Sequence, residues 1–117
     1  MAWIPLTTST HQDHVIAHVV GATIRGYLVF DETAYLLLDI GFIWNIYLDT
    51  EMGLLPHPVA VNELNLPDDA KSEIRADVDL LLSDRPADPT RMTRAKSSPI
   101  QTVDIFVCED LRRIVIA

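Results

Sequence analysis

A chain of 117 residues, 49% hydrophobic and 22% charged, suits one globular domain whose core needs neither metal nor disulfide, and excludes an intrinsically disordered protein. Its formal charge of −8 at pH 7 disfavours nonspecific nucleic-acid binding, which depends on Lys and Arg neutralising phosphates. Cys108 is the single cysteine, so no intrachain disulfide forms, and a reducing, cytoplasmic compartment is expected. Charge is unevenly spread: residues 1–84 carry 13 acids against three bases, while residues 85–117 carry four acids against six bases.

Residues 1–13 read as an N-terminal arm. Trp3, Ile4 and Leu6 are too apolar for a free tail, so the arm is expected to pack on the domain or on a second subunit. Pro5 lacks an N–H and argues against a central strand there. Without a basic start or a long apolar run, the arm does not read as a secretory signal. The apolar region 34–48 is interrupted by Asp39 and Asn45 and is shorter than the roughly 20 residues of a spanning helix, so no membrane partner is expected.

His14 to Val20 is rich in β-branched residues and reads as a strand, with Gly21 marking a bulge or bend. Thr23 to Phe30 continues the strand pattern, and Asp31-Glu32-Thr33 predicts a hairpin turn into Ala34 to Asp39. Gly41 allows a second turn before Phe42 to Asp49. The stretch from Tyr27 to Leu48 holds six of the eight aromatic residues and predicts the centre of an antiparallel sheet. Within it, Phe42, Trp44, Ile46 and Leu48 share one face, and Ile43, Asn45 and Tyr47 the other. Both faces are largely apolar, so this strand is expected to be covered twice, by a helix and a second layer or by a partner subunit.

Thr50 to Pro58, with Gly53, Pro56 and Pro58, reads as a loop, followed by a short strand Val59–Val61. Pro67 to Ser83 predicts an amphipathic helix. Pro67 suits its first position, and Asp68 and Asp69 complement the positive end of its dipole. Ala70, Ile74, Val78, Leu81 and Leu82 fall on one face; Lys71, Glu73, Arg75, Asp77 and Asp79 are assigned to the opposite one. Pro86 to Pro99 reads as a long, flexible basic surface loop. Ile100 to Val107 and Arg113 to Ala117 predict a hairpin turning near Glu109-Asp110-Leu111. The order β-β-β-(β)-α-β-β predicts a single α+β domain: an antiparallel sheet of five to six strands with one amphipathic helix on one face.

Candidate sites follow from residue chemistry. His11, Asp13 and His14 are weak metal candidates, with His18 and His57 as possible additions. On a strand rising ~3.3 Å per residue, His14 and His18 lie about 13 Å apart, too far to share an ion. No HExxH or paired-cysteine motif is present, so neither metal nor cofactor is expected. An aromatic sheet curved around a helix can hold a pocket, for which Tyr35, Asp39, Trp44, Asn45, Tyr47 and His57 are candidates; an enzyme reading needs Asp39, Asn45, Tyr47 and His57 in one concavity. Glu109 and Asp110 oppose a Cys108 thiolate, so a passive cysteine is expected. Arg91, Arg94 and Lys96, beside Thr and Ser hydroxyls, can contact a phosphate or an acidic partner.

The expected function is a non-enzymatic protein acting through protein–protein contact as a homodimer, with Trp3, Ile4, Phe42, Trp44 and Ile46 at the interface. The alternatives are a small-ligand-binding or enzyme domain with a pocket between helix and aromatic strands, and an acidic antagonist of a basic protein.

Overall fold

The computed structural model describes residues 2–117; Met1, the first residue of the expected arm, lies outside them. In chain order the elements are β1 (Ile4–Pro5), α1 (Thr10–Val19), β2 (Ile24–Phe30), β3 (Thr33–Leu38), β4 (Phe42–Ile46), β5 (Met52–Pro56), α2 (His57–Asn62), α3 (Asp68–Leu82), β6 (Thr93–Arg94), β7 (Val103–Cys108) and β8 (Leu111–Ile116). The strands form two antiparallel sheets, one of five in the order β5-β4-β3-β2-β6 and one of three in the order β1-β7-β8. The fold is therefore α+β with antiparallel pairing, built from two sheets and three helices where one of each was expected.

The hairpins form where the turn residues direct them. Asp31 (φ 51) and Glu32 (φ 61) are both left-handed, the φ pattern of a type I′ turn whose twist matches the flanking strands, and they join Phe30 to its partner Thr33. Glu109 (φ 55) begins the turn that pairs Cys108 with Leu111. Gly41 (φ 84) lies between β3 and β4.

Three expectations change between residues 10 and 61. The strand expected over 14–20 is helix α1. Its start is a capping box: the Gln12 N–H donates to Ser9 Oγ at 3.1 Å, and the Ser9 N–H donates to Gln12 Oε1 at 2.9 Å. Val15 and Val19, four residues apart, are buried on one helical face, and the local cap with tertiary burial outweighs β-propensity. The strand expected over 59–61 is helix α2, with Pro58 in its first turn and Ala60 and Val61 buried. The loop expected over 50–58 contains β5. Gly53 faces Asn45 across the β4–β5 ladder, where a Cβ would lie 2.8 Å from Asn45 Oδ1.

The five-stranded sheet is covered on both sides. Leu37 and Ile43 pack with Ala60, Val61 and Leu64 and with Ile74, Val78 and Leu81 beneath α2 and α3. Leu38 and Trp44 pack with Val15 and Val19 of α1, Ile100 and Ile105, with Ile114 and Ile116 of the second sheet against them. The doubly apolar strand β4 thus finds both its covers within its own chain: Ile43 points to one core, Trp44 and Ile46 to the other.

Helix α3 holds one residue on the wrong side of the expected polar face. Asp77 is 2% exposed, and its carboxylate accepts the N–H groups of Thr90 (2.7 Å), Arg91 (2.7 Å) and Met92 (2.9 Å). Position 77 is i+7 from Ala70, inside the apolar stripe, so helical geometry carries it inward. Its three bonds draw the segment 86–99 back onto the domain, where β6 adds to β2 through Gly26↔Arg94 and Tyr27↔Thr93.

Strand β2 contains a bulge. Ile24 faces Leu38 and Gly26 faces Leu37, which leaves Arg25 as the extra residue. Gly26 is required beside it, because a Cβ there would sit 2.6 Å from Leu81 Cδ1 and 2.9 Å from the Thr93 carbonyl oxygen. The backbone oxygen cannot swing away as a side chain can. Gly26→Ala is expected to cost about 1–3 kcal/mol, the usual cost of overpacking, measured by urea denaturation. An unchanged midpoint would refute this account of the β2–β6–α3 junction.

Candidate functional site

The residues expected to line a ligand pocket do not gather in one place. Tyr35, Asn45 and Tyr47 meet Leu55, Ala60, Glu63 and Leu64 around a cavity of about 100 Å3 beside α2. Asn45 Nδ2 donates to Tyr47 Oη at 2.7 Å. Burial, the largest cause, raises the Tyr35 phenol above its ordinary pKa; a Thr33 hydrogen bond opposes this, and Tyr47 and Asp31 reinforce it. Asp39 stands elsewhere, its carboxylate accepting the Thr23 N–H at 2.9 Å. His57 opens α2, its N–H donating to the Gly41 carbonyl at 3.0 Å. Trp44 lies in the core toward α1, fully buried, and lines no surface. The cavity is well below the ~300 Å3 at which small-molecule pockets begin. Asp39, Asn45, Tyr47 and His57 do not share one concavity.

Helix α1 rearranges the histidines. His14 and His18 are i, i+4 neighbours on one helix face, not the ~13 Å apart that a strand would impose. His18 Nδ1 donates to the His14 carbonyl at 2.7 Å, and His11 Nε2 donates to the Met52 carbonyl at 2.9 Å. Asp13 accepts the Thr8 hydroxyl. Among the described residues, no group of three or more His, Cys, Asp or Glu is placed to hold a metal ion.

The basic residues of the 86–99 segment are also divided. Arg91 Nε donates to Glu73 Oε2 at 2.6 Å. Arg94 Nη2 donates to the carbonyls of Arg85 (2.6 Å) and Ala87 (2.8 Å), and its Nη1 lies 3.7 Å from Asp84. Lys96 lines a cavity of about 260 Å3 with Arg94 and with Arg25, a base that sequence reasoning did not select.

The N-terminal arm packs on its own domain: Ile4 pairs with Val107 and Pro5 with Phe106, so Pro5 sits on an edge strand. Val103, Ile105, Ile114 and Ile116 of the second sheet pack against the α1-side core. Alternation then turns Asp104, Phe106 and Cys108 of β7, and Leu111, Arg113 and Val115 of β8, to the outside. Trp3 joins this outer face, with Arg113 Cζ 6.0 Å from its ring centroid. Trp3, Asp104, Phe106, Arg113 and Val115 surround a shallow concavity of about 310 Å3. Of the expected interface residues, Trp3 and Ile4 are exposed, Phe42 and Ile46 are half-buried, and Trp44 is inaccessible. The apolar surface lies on β7 and β8, at Phe106 and Val115.

A broader concavity of about 620 Å3 opens where the β2–β3 and β7–β8 turns approach. Asp31, Glu32, Asp49, Glu51 and Asp110 line it with Arg112 as the one base. No helix among the described residues is long and apolar enough to cross a membrane. Comparison with protein-family models, with curated proteins and with solved structures finds no match to the chain.

Proposed function

We propose that the protein acts through protein–protein contact and that its partner is a second copy of itself, docked through the outer face of the three-stranded sheet. The observation that carries this reading is the patch of Trp3, Phe106 and Val115 flanked by Arg113 and Asp104. Neither charge belongs to an ion pair among the described residues. A two-fold contact uses the same patch on both copies, so it can set Arg113 against Asp104 of the partner subunit while the apolar residues meet. The patch is charge-balanced on a chain of net charge −8, which favours it over the rest of the surface for self-association.

Size fixes the expected strength. Six-residue strands are roughly 20 Å long and neighbours are ~4.8 Å apart, so the patch is on the order of 300 Å2. Stable interfaces bury about 800 Å2 per partner, so association is expected to be weak, in the micromolar range or above. Sedimentation velocity from ~1 to ~500 µM should show the mass rising from monomer toward dimer. Phe106→Glu should weaken association by about tenfold or more, and because Phe106 is half-buried, thermal melts of the variant separate lost association from lost fold. A monomer at every concentration would overturn the proposal. The acidic concavity between the two turns supports a second reading, capture of a basic protein, whose binding would weaken steeply with added salt.

A further inference from the structure

We infer that the cavity at the β2 bulge binds a small phosphate-type oxyanion. Arg25 is the extra residue of that bulge, which takes it out of the strand's alternation and lines it along a cavity of about 260 Å3 with Arg94, Lys96 and Ser97. Its Nε is buried and has no hydrogen-bond partner among the described residues, and its guanidinium is in neither ion pair. A buried donor left unpaired is costly, and more so when it is charged. The backbone nonetheless holds it there: the Arg25 carbonyl accepts the Ala95 N–H at 3.0 Å, and Gly26 is wedged against Leu81 and Thr93. A tetrahedral oxyanion in the cavity would balance that charge and pair with the outer edge of the guanidinium fork, the Nε itself being closed to solvent.

The surroundings select the ligand. Lys96 is exposed, in neither ion pair, and brings a second free cation to the cavity. Arg94 has its Nη2 committed to two carbonyls and its Nη1 near Asp84, so it contributes mainly charge. Asp84 is the one acid lining the cavity, against three bases in a chain that is otherwise strongly acidic. No aromatic residue lines the cavity to stack a base, and its volume is below that of a drug-sized pocket. A single phosphate group, free or on a small monoester, fits; a nucleotide does not.

Calorimetric titration with inorganic phosphate and, separately, with O-phosphoserine at constant ionic strength tests this, with saturable binding of either probe expected. The arm that binds more tightly tells free phosphate from monoester. Arg25→Met should weaken binding by about tenfold or more, the loss of a charge-assisted contact, and the exposed Lys96→Ala by several-fold. Asp84→Asn should strengthen binding several-fold, because it removes the opposing charge while Asn tolerates the left-handed backbone at that position (φ 53). Thermal melts of each variant separate lost binding from lost fold. The inference is overturned if neither probe saturates, if folded Arg25→Met binds as tightly as the parent, or if Asp84→Asn leaves the affinity unchanged.

Discussion

Asp77→Ala is expected to lower the free energy of unfolding by about 2–4 kcal/mol, a large share of the margin of a domain this size. The carboxylate accepts three backbone N–H groups, and hydrogen bonds to a charged group are worth about 1.5–3 kcal/mol each. The sum is not additive, because Thr90 and Arg91 lie at the surface, where their amides can turn to water. Met92 is buried and its amide cannot. Asp77→Asn, which keeps one acceptor oxygen, should lose roughly half as much. Urea denaturation gives the total, and hydrogen exchange gives the location: the amides of Thr90, Arg91 and Met92 should lose protection first. With β6 detached from β2, Arg94 and Lys96 would also leave the cavity beside Arg25, so phosphate binding should fall in the same variant. A cost below about 1 kcal/mol would mean that other contacts hold this segment.

Trp44→Ala should cost about 3–5 kcal/mol, the usual range for deleting a buried aromatic, because Trp44 is fully buried among Val15, Val19, Leu38, Met52 and Ile105. Trp44→Phe is the more informative substitution. The indole Nε1 is buried with no hydrogen-bond partner among the described residues, an expense of about 1–3 kcal/mol in the parent protein. Phenylalanine removes that donor along with part of the ring, and the two effects oppose each other. The net cost should stay below about 1.5 kcal/mol. A Trp44→Phe variant as unstable as Trp44→Ala would show that the indole N–H has a partner. Fluorescence offers an independent check: Trp44 should be shielded from acrylamide, and Trp3, 38% exposed, should be quenched.

The legible parts of the sequence were those where one periodicity dominates. Tyr27 to Ile46 alternates around recognisable turn residues, and β2, β3 and β4 follow it. The helix expected over Pro67–Ser83 spans Asp68–Leu82. Where two readings compete, the sequence misled. Val15 and Val19, four apart, satisfy both a strand's even spacing and a helix's turn; the Ser9–Gln12 capping box was the deciding signal and was legible in the sequence. Helix α2 has six residues, too few for a period to declare itself. Gly53 and Pro56 spoke for a loop, yet one makes room for Asn45 and the other ends the strand.

The candidate site was less legible for a different reason. Asp77 lies in the apolar stripe, but the amides that justify its burial come 13 to 15 residues later, in a segment without periodicity. Arg25 acquires its orientation from a register shift against β3, which no local pattern encodes.

The three-stranded sheet joins Ile4 and Pro5 to Val107 and Phe106, so it is stitched from opposite ends of the described chain. This orders folding in time. As the polypeptide is synthesised, residues 24–94 can seat α2 and α3 on one side of the central sheet. The side bearing Leu38 and Trp44 is covered only by α1 until residues 103–116 have been made. Closure by such distant segments is slow on the scale of local hairpins, since the loop entropy is lost before the contacts form. The interval is the period in which the nascent protein is most exposed to aggregation, and a chaperone that shortens it would act on the α1 side of the sheet.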